Sequence, residues 1–159
     1  MRRFLPHTII GFFIVIGVIS MFSSCNNDNC YGNSTGIPLA GFYSGDKAAT
    51  IQNLTVYGIG APNDSAILRG TSASKVYLPL SLTKSSCQYV FDYNTEGVVN
   101  DTISLTYNAI PYFESHECGA MYNFRITSWD YTNNAIDSVT IHDTMITNAD
   151  VVSIKIYMR

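Results

Sequence analysis

The chain is poor in charged side chains, which make up 13% of its 159 residues. Apart from Arg2 and Arg3, the basic residues do not cluster along the sequence; they are Lys47, Arg69, Lys75, Lys84, Arg125, Lys155 and Arg159. Proteins that bind nucleic acids carry clustered lysine and arginine, because the phosphate charges must be neutralised. The sequence therefore predicts no nucleic-acid partner.

Histidine is also scarce, with three in the chain. Ser/His/Asp and Cys/His sites need a base close to the nucleophile. His116 stands beside Glu117 and Cys118, but neighbouring residues of an extended chain point to opposite faces, so these three side chains cannot converge. His142 ends an alternating segment and is expected to be solvated. We expect no catalytic residue, no cofactor and no enzymatic activity.

One segment resembles a calcium-binding loop. Residues 92–97, Asp-Tyr-Asn-Thr-Glu-Gly, match the first half of an EF-hand loop, whose twelfth position should be glutamate. That position is Ile103, which lies inside an alternating segment. A hairpin turn explains the same residues, so the sequence predicts no metal site.

After Cys25 the sequence shows no helical periodicity. Instead, apolar and polar residues alternate with period two within short segments. Enrichment in valine, isoleucine, threonine and tyrosine marks these segments as half-buried strands, and turn residues separate them. About eight such segments favour an all-β domain, an antiparallel two-sheet β-sandwich of immunoglobulin-like type. An irregular β-barrel is the alternative. The clearest segments are 54–58, 76–82, 102–107, 138–142 and 152–158.

Segment 76–82 predicts a strand with four apolar side chains on one face. These side chains are Val76, Leu78, Leu80 and Leu82. Pro79 cannot donate a backbone hydrogen bond, so this strand is expected at an edge or at a bulge.

One long apolar run does occur, in residues 9–22, and it follows Arg2 and Arg3. Ser23 and Ser24 come next and lead directly to Cys25. A basic start, an apolar stretch and small residues form a secretory signal. The cysteine that follows makes residues 1–24 resemble a bacterial lipoprotein signal peptide, in which the thiol of Cys25 is acylated.

This segment has two alternative interpretations: the signal peptide of a soluble secreted protein, and an uncleaved membrane anchor. The 14 residues of the apolar run fall short of the roughly 17–25 that span a bilayer. A lipid holds a protein at a membrane surface without a spanning helix. The lipoprotein interpretation is therefore favoured.

Removal of residues 1–24 leaves 135 residues, with seven basic against twelve acidic side chains. This length suits one domain with its own core. Residues 25–36 are rich in asparagine, serine and glycine and are predicted to form a polar tether. Residues 37–159 are predicted to form the β-sandwich domain.

The remaining cysteines are Cys30, Cys87 and Cys118, in an oxidising compartment where disulfides persist. Three thiols allow three pairings and leave one unpaired. We expect Cys30 to pair with Cys118, because Cys30 lies in the polar leader and Cys118 in a Glu-Cys-Gly loop. Cys87 opens an alternating segment and is expected to be buried as a small apolar residue.

Aromatic side chains form two rows. Tyr89, Phe91 and Tyr93 fall on one face of a predicted strand. The second row is expected to hold Trp129 and Tyr131 on one face together with Arg125. Such rows stack on sugar rings in some proteins, but aromatic pairs also stabilise sheets and cores. The structural interpretation is favoured, and ligand binding by the second row is the alternative.

The order of several short motifs resembles an uncharacterised family of small Bacteroidota lipoproteins. The motifs are Cys25 with Cys30, Leu78-Pro79-Leu80, residues 101–107, Glu117-Cys118-Gly119, Ile136-Asp137-Ser138-Val139 and residues 152–158. The resemblance spans nearly all of the chain after the signal. It implies a β-rich lipoprotein facing the periplasm or the outside, and it brings no known activity. Cys87 is a departure from the family pattern.

Four segments read Asp, Ser or Thr, then an aliphatic residue, which resembles the O-glycosylation pattern of exported Bacteroidota proteins. Their acceptors are Ser65, Thr102, Ser138 and Thr144. Strand starts after turns explain the same composition, so both interpretations stand.

These observations together predict a non-enzymatic lipoprotein of the cell envelope that serves binding or assembly. Its partners are the membrane, through the lipid on Cys25, and an envelope protein or glycan. Asn26-Asn27-Asp28-Asn29 holds a single acid, which favours an outer-membrane lipoprotein that faces the periplasm over one exposed at the surface. A carbohydrate-binding module that uses exposed aromatic side chains is the alternative function.

Overall fold

The computed structural model describes residues 35–61, 65–113 and 119–159. In these ranges the chain forms eleven strands: β1 (Leu39–Ser44), β2 (Lys47–Ala48), β3 (Ile51–Gly58), β4 (Ala66–Ala73), β5 (Lys75–Tyr77), β6 (Ser86–Asp92), β7 (Asp101–Phe113), β8 (Ala120–Tyr131), β9 (Ile136–Ile141), β10 (Met145–Ile146) and β11 (Val152–Met158). The same ranges contain no helix that is long and apolar enough to cross a membrane.

The described strands form two sheets that pack together as a sandwich. The six-stranded sheet has the order β10-β8-β7-β6-β3-β4, and the five-stranded sheet has the order β2-β1-β11-β9, with β5 paired to β1. The all-β, two-sheet prediction is confirmed. Three of the strands, β2, β5 and β10, are only two or three residues long. Alternation cannot reveal such short strands, and the eight longer ones match the predicted number.

The antiparallel prediction is wrong for one pair. Strands β1 and β11 run parallel, with Ala40 beside Ile154 and Phe42 beside Ile156. Antiparallel neighbours are often joined by a tight turn that leaves a sequence signal, whereas parallel neighbours need a long crossover. Here most of the domain lies between the two strands, so no local pattern marks their pairing.

The core between the sheets contains most of the side chains that alternation assigned to it. Leu54 and Val56 are fully buried on one face of β3. The row of Tyr89, Phe91 and Tyr93 is buried too, so it belongs to the core and is not an exposed row of rings. Phe91 meets Phe42 of the other sheet edge to face, with 6.1 Å between ring centroids. Such a pair adds directional packing to the burial of apolar surface.

The predicted strand over 76–82 is shorter in the structure. Strand β5 ends at Tyr77, and Val76 and Leu78 are buried as expected. Leu82 is 50% exposed and lies off the buried face. Pro79 lacks the backbone N–H that a longer strand would donate to its neighbour, so the ladder stops before it.

The chain joins the body through residues 35–38, called the leading segment below. Thr35 forms a parallel bridge with Tyr122 of β8, and the N–H of Gly36 donates to the carbonyl oxygen of Tyr122 at 2.8 Å. Gly36 is buried. The structure therefore places Thr35 and Gly36, which the sequence assigned to the tether, against the domain.

Substitution of Gly36 tests this packing. An added methyl group at residue 36 would lie 2.7 Å from the carbonyl oxygen of Ile146. Because backbone cannot move aside cheaply, we predict that Gly36→Ala lowers the free energy of unfolding by about 1–3 kcal/mol. Urea unfolding followed by tryptophan fluorescence measures the change.

Gly58→Ala is the matched control, since its added methyl group would lie 3.7 Å from the nearest atom. Its free energy of unfolding should stay within about 0.5 kcal/mol of the parent value. If both variants unfold at the same urea concentration as the parent, residue 36 is not packed tightly against the backbone of Ile146.

Candidate functional site

The predicted ligand-binding row of Arg125, Trp129 and Tyr131 lies on β8, next to β7. The pairing of these strands shifts once: Ser128 pairs with Thr106, whereas Ile126 pairs with Tyr107. The residue between them is the extra residue of a β-bulge. A shift of one residue moves every side chain on one side of it to the opposite face.

The prediction that Arg125 shares a face with Trp129 and Tyr131 is therefore wrong. Directly paired residues of neighbouring strands point to the same face. Trp129 pairs with Leu105 and Tyr131 with Ile103, and both partners are buried on the inner face. Arg125 is exposed on the outer face. The bulge separates the guanidinium from the two rings, so the three cannot bind one ligand together.

Trp129 lies at the margin of the sandwich, where its side chain is 39% exposed. Its indole Nε1 donates a 3.3 Å hydrogen bond to the carbonyl oxygen of Val139 in β9. Because β8 and β9 belong to different sheets, the indole bridges the two layers. Tyr131 is half-buried and packs against the core. Only part of the Trp129 ring is left for a ligand.

A recess of about 480 Å³ lies between the loop after β3 and the loop before β6. Sequence patterns do not reveal it, because its walls come from separate segments that meet only after folding. The lining includes Gly58, Ile67, Leu80, Lys84, Cys87 and Tyr89.

Two tyrosine hydroxyls fix one wall of this recess. The hydroxyl of Tyr89 donates to the carbonyl oxygen of Pro79. The hydroxyl of Tyr107 accepts the N–H of Ser81 at 2.9 Å and lies 3.1 Å from the carbonyl oxygen of the same residue, to which it donates. Burial raises the pKa of both hydroxyls, which keeps them protonated at neutral pH. The loop after β5 is thereby tied to β6 and β7.

Cys87 lines the recess as a half-buried thiol, and no described residue pairs with it in a disulfide. Burial raises the pKa of this thiol. The thiolate is the reactive form of cysteine, so a thiol with a raised pKa is a poor nucleophile at neutral pH. Cys87 packs against the core as a small apolar side chain, but it is half-buried and not buried as the sequence suggested.

The most concentrated polar site in the described residues surrounds the carboxylate of Asp101, which is fully buried at the start of β7. One oxygen, Oδ1, accepts the hydroxyl of Thr132 and the N–H of Asn134, each at 2.8 Å. The other, Oδ2, accepts the N–H groups of Ala135 at 2.8 Å and Ile136 at 2.9 Å. These donors belong to the crossover that carries the chain from β8 to β9.

A fifth donor to Asp101 comes from the other side of the site. The hydroxyl of Tyr93, which follows β6, donates to Oδ2 at 3.0 Å. Burial alone would raise the pKa of the Asp101 carboxyl, but the hydrogen bonds from Asn134, Thr132, Ile136 and Ala135 outweigh it and lower the pKa below its usual value. A carboxylate surrounded by five donors has no free lone pair to accept a substrate proton, so its role is structural.

The turn that resembled a calcium loop uses its polar side chains internally. Asp92 Oδ1 accepts the N–H of Asn94 at 2.9 Å, and the Asn94 side chain donates to the carbonyl oxygen of Asn53 and the hydroxyl of Thr55. In the described ranges, histidine, cysteine, aspartate and glutamate do not gather in groups of three that could hold a metal ion.

The four predicted O-glycosylation acceptors differ in exposure. Thr144 and Ser65 are exposed. Ser138 is half-buried in β9, and Thr102 is half-buried in β7. The aspartate before Thr102 is the buried Asp101, so this motif does not offer its acid side chain to solvent.

Several predicted features lie outside the described residues: the signal peptide of residues 1–24, Cys25 and Cys30 of the tether, Asp64, and the three residues His116, Glu117 and Cys118. The lipidation of Cys25 and the disulfide between Cys30 and Cys118 stay predictions.

A comparison with protein families matches residues 53–158 to a family of unknown function, DUF6452. The chain belongs to this family. The match covers the Asp101 site, the bulge in β8 and the walls of the recess. No curated protein and no solved structure matches the chain. The expectation of an uncharacterised family is confirmed, and the family carries no assigned activity.

The Asp101 site yields a prediction about stability. Asp101→Asn replaces one accepting oxygen with an N–H₂ group that faces N–H and O–H donors. We predict a loss of about 2–4 kcal/mol in the free energy of unfolding at pH 7, because buried donors lose their acceptor. Chemical denaturation at pH 7 measures it. Asp137→Asn is the control; Asp137 is exposed on β9, so its change should stay within about 0.5 kcal/mol.

The same carboxylate sets a pH dependence. The folded pKa of Asp101 is lower than its unfolded value near 4, so the stabilisation is complete above about pH 4 and is lost as the pH falls through the folded pKa. The gap in stability between the parent and Asp101→Asn should therefore shrink over this acid range. A gap that stays constant from pH 7 to pH 2 would contradict an ionised Asp101 in the folded protein.

Proposed function

We propose that the protein is a lipoprotein of the bacterial cell envelope, anchored in the outer membrane through an acylated Cys25 and facing the periplasm. Its β-sandwich domain binds or assembles with an envelope partner and catalyses no reaction. The observation that carries this proposal is the order of Arg2 and Arg3, the apolar residues 9–22 and Ser23-Ser24-Cys25.

The body supports a binding role more than a catalytic one. Its concentrated polar site, at Asp101, is filled by the protein's own donors. The thiol of Cys87 has a raised pKa. Neither group is in the state that a general base or a nucleophile needs. Exposed apolar side chains and loops are what the domain offers to a partner.

Metabolic labelling with a palmitate analogue tests the anchor. We expect the parent protein to incorporate the label and to fractionate with membranes, and Cys25→Ser to do neither, because acylation needs the thiol. Cys87→Ser is the matched control, since it removes another thiol but leaves the signal intact, and it should behave as the parent. An unlabelled parent, or a Cys25→Ser variant that still fractionates with membranes, would refute the lipoprotein.

A carbohydrate-binding module is the second candidate function. Trp129 favours it, because its ring is partly exposed on the same face of β8 as Tyr131. Aromatic rings stack on the apolar faces of sugars through the same dispersion contacts that they make in cores.

A glycan array tests this candidate. If the module binds sugars, Trp129→Ala should lose at least tenfold in affinity, whereas Arg125→Ala should keep the parent's affinity because the bulge turns Arg125 to the other face. Circular dichroism of Trp129→Ala checks that loss of the hydrogen bond to Val139 leaves the fold intact. Absence of any glycan whose binding depends on Trp129 would remove the candidate.

We also propose that the Asp-Ser/Thr-aliphatic segments whose hydroxyl residue is exposed are O-glycosylated, with Thr144 and Ser65 as the acceptors. Both residues are exposed, and Asp143 beside Thr144 is exposed as well. Intact-mass measurement of protein from a native host should show that Thr144→Ala and Ser65→Ala each remove one glycan mass. Thr102→Ala should leave the mass of the glycans unchanged, because its motif begins with the buried Asp101. A parent mass equal to that of the bare acylated chain would refute the modification.

A further inference from the structure

The leading segment shows at which end of the sandwich the chain that comes from Cys25 meets the body. Thr35 bridges Tyr122, which pairs with Pro111. Two residues farther along the same pair of strands, Phe113 pairs with Ala120. The chain that comes from Cys25 therefore meets the body beside the end of β7 that carries Phe113.

Apolar side chains are exposed at this end. Phe113 is 74% exposed, the highest value among the large hydrophobic side chains of the described residues. Val151 and Tyr77 are 59% and 45% exposed. Tyr77 pairs with Leu39, the residue that follows the leading segment, and its hydroxyl donates to Asp150 at 2.6 Å. Phe113, Tyr77 and Val151 are called the proximal end below.

The length of the tether makes this end the one that faces a membrane. Nine residues lie between Cys25 and Thr35, and the ten Cα–Cα steps that join these two residues span at most about 33–36 Å when fully extended. Strand β7 advances about 3.3 Å per residue, so roughly 33 Å separates Pro111 from Asp101 at the other end. Residues 93–100 lie beyond Asp101. They could approach the bilayer only if the whole tether ran back along the body.

We propose that the proximal end faces the bilayer and that Phe113 inserts into the lipid headgroup region. The proposal rests on the acylated Cys25 of the proposed function. Phenylalanine is among the apolar side chains that bury at the boundary between headgroups and acyl chains, and the lipid anchor holds Phe113 at a high effective concentration there. None of the three proximal side chains carries a charge, and the nearby carboxylate of Asp150, which Tyr77 contacts, is not attracted to anionic lipid. The contact therefore depends on apolar burial and does not need anionic lipid or low salt.

Depth-dependent fluorescence quenching tests the orientation on the full-length acylated protein. The background is Trp129→Phe, which removes the natural tryptophan. Phe113→Trp places a reporter at the proximal end, and Val98→Trp places a matched one in the turn at the opposite end, where Val98 is 41% exposed. Both positions are exposed, so neither substitution disturbs the core. The vesicles contain phosphatidylethanolamine and phosphatidylglycerol, with bromine near the headgroup end of the acyl chains.

We expect the tryptophan at residue 113 to be quenched at least twofold more than the one at residue 98, with a blue-shifted emission. Equal quenching at the two positions, or stronger quenching at residue 98, in protein that floats with the vesicles would overturn the orientation. Quenching that disappears at 0.5 M salt would overturn the apolar contact.

A different attachment to the membrane tests the proposed orientation independently of the acylation of Cys25. A histidine tag that replaces residues 1–25 holds the same chain on vesicles with nickel-chelating lipids, at nearly the same point and without acylation. Preferential quenching at residue 113 in this tagged protein supports the proximal surface even if the native chain proves unacylated, in which case only the proposed anchor fails. Equal quenching at both positions in the tagged protein overturns the surface whatever the state of Cys25.

Discussion

The way the two sheets are joined depends on one buried carboxylate. Asp101 begins β7 in one sheet, and its oxygens accept the backbone N–H groups of Ala135 and Ile136, where β9 begins in the other sheet. A buried charge is costly unless hydrogen bonds replace the water that it loses. These donors converge on Asp101 only when the chain leaves β8 and enters β9 at the observed residues. The carboxylate therefore specifies where the chain changes sheets.

Aromatic residues repeat this arrangement elsewhere in the molecule. The hydroxyls of Tyr89 and Tyr107 hold the loop after β5, and the indole of Trp129 bonds to the carbonyl oxygen of Val139 across the layers. In each case an apolar ring lies in or beside the core while its polar atom satisfies a backbone group of a loop or edge. The richness in tyrosine thus serves the connections between elements as well as the core.

Much of the fold could be predicted from period-two alternation, because burial on one face of a strand imposes that pattern. Leu54 and Val56 were correctly placed in the core for this reason. The β1–β11 pairing could not be predicted, since it depends on residues far apart in the chain. The face of Arg125 was missed because the bulge in β8 inserts one residue without a glycine or proline to mark it. Asp101 looked like a strand start or a glycosylation motif, since its donors gather only in the folded protein.

The parallel pairing of β1 and β11 has a consequence for the order in which the domain is completed. Strand β1 leaves the ribosome more than one hundred residues ahead of β11, which lies beside it. Until β11 arrives, one edge of β1 lacks its hydrogen-bonding neighbour, and folding that relies on such distant contacts is slow. The sheet that contains β1 therefore cannot be completed until the last strand of the chain has been synthesised.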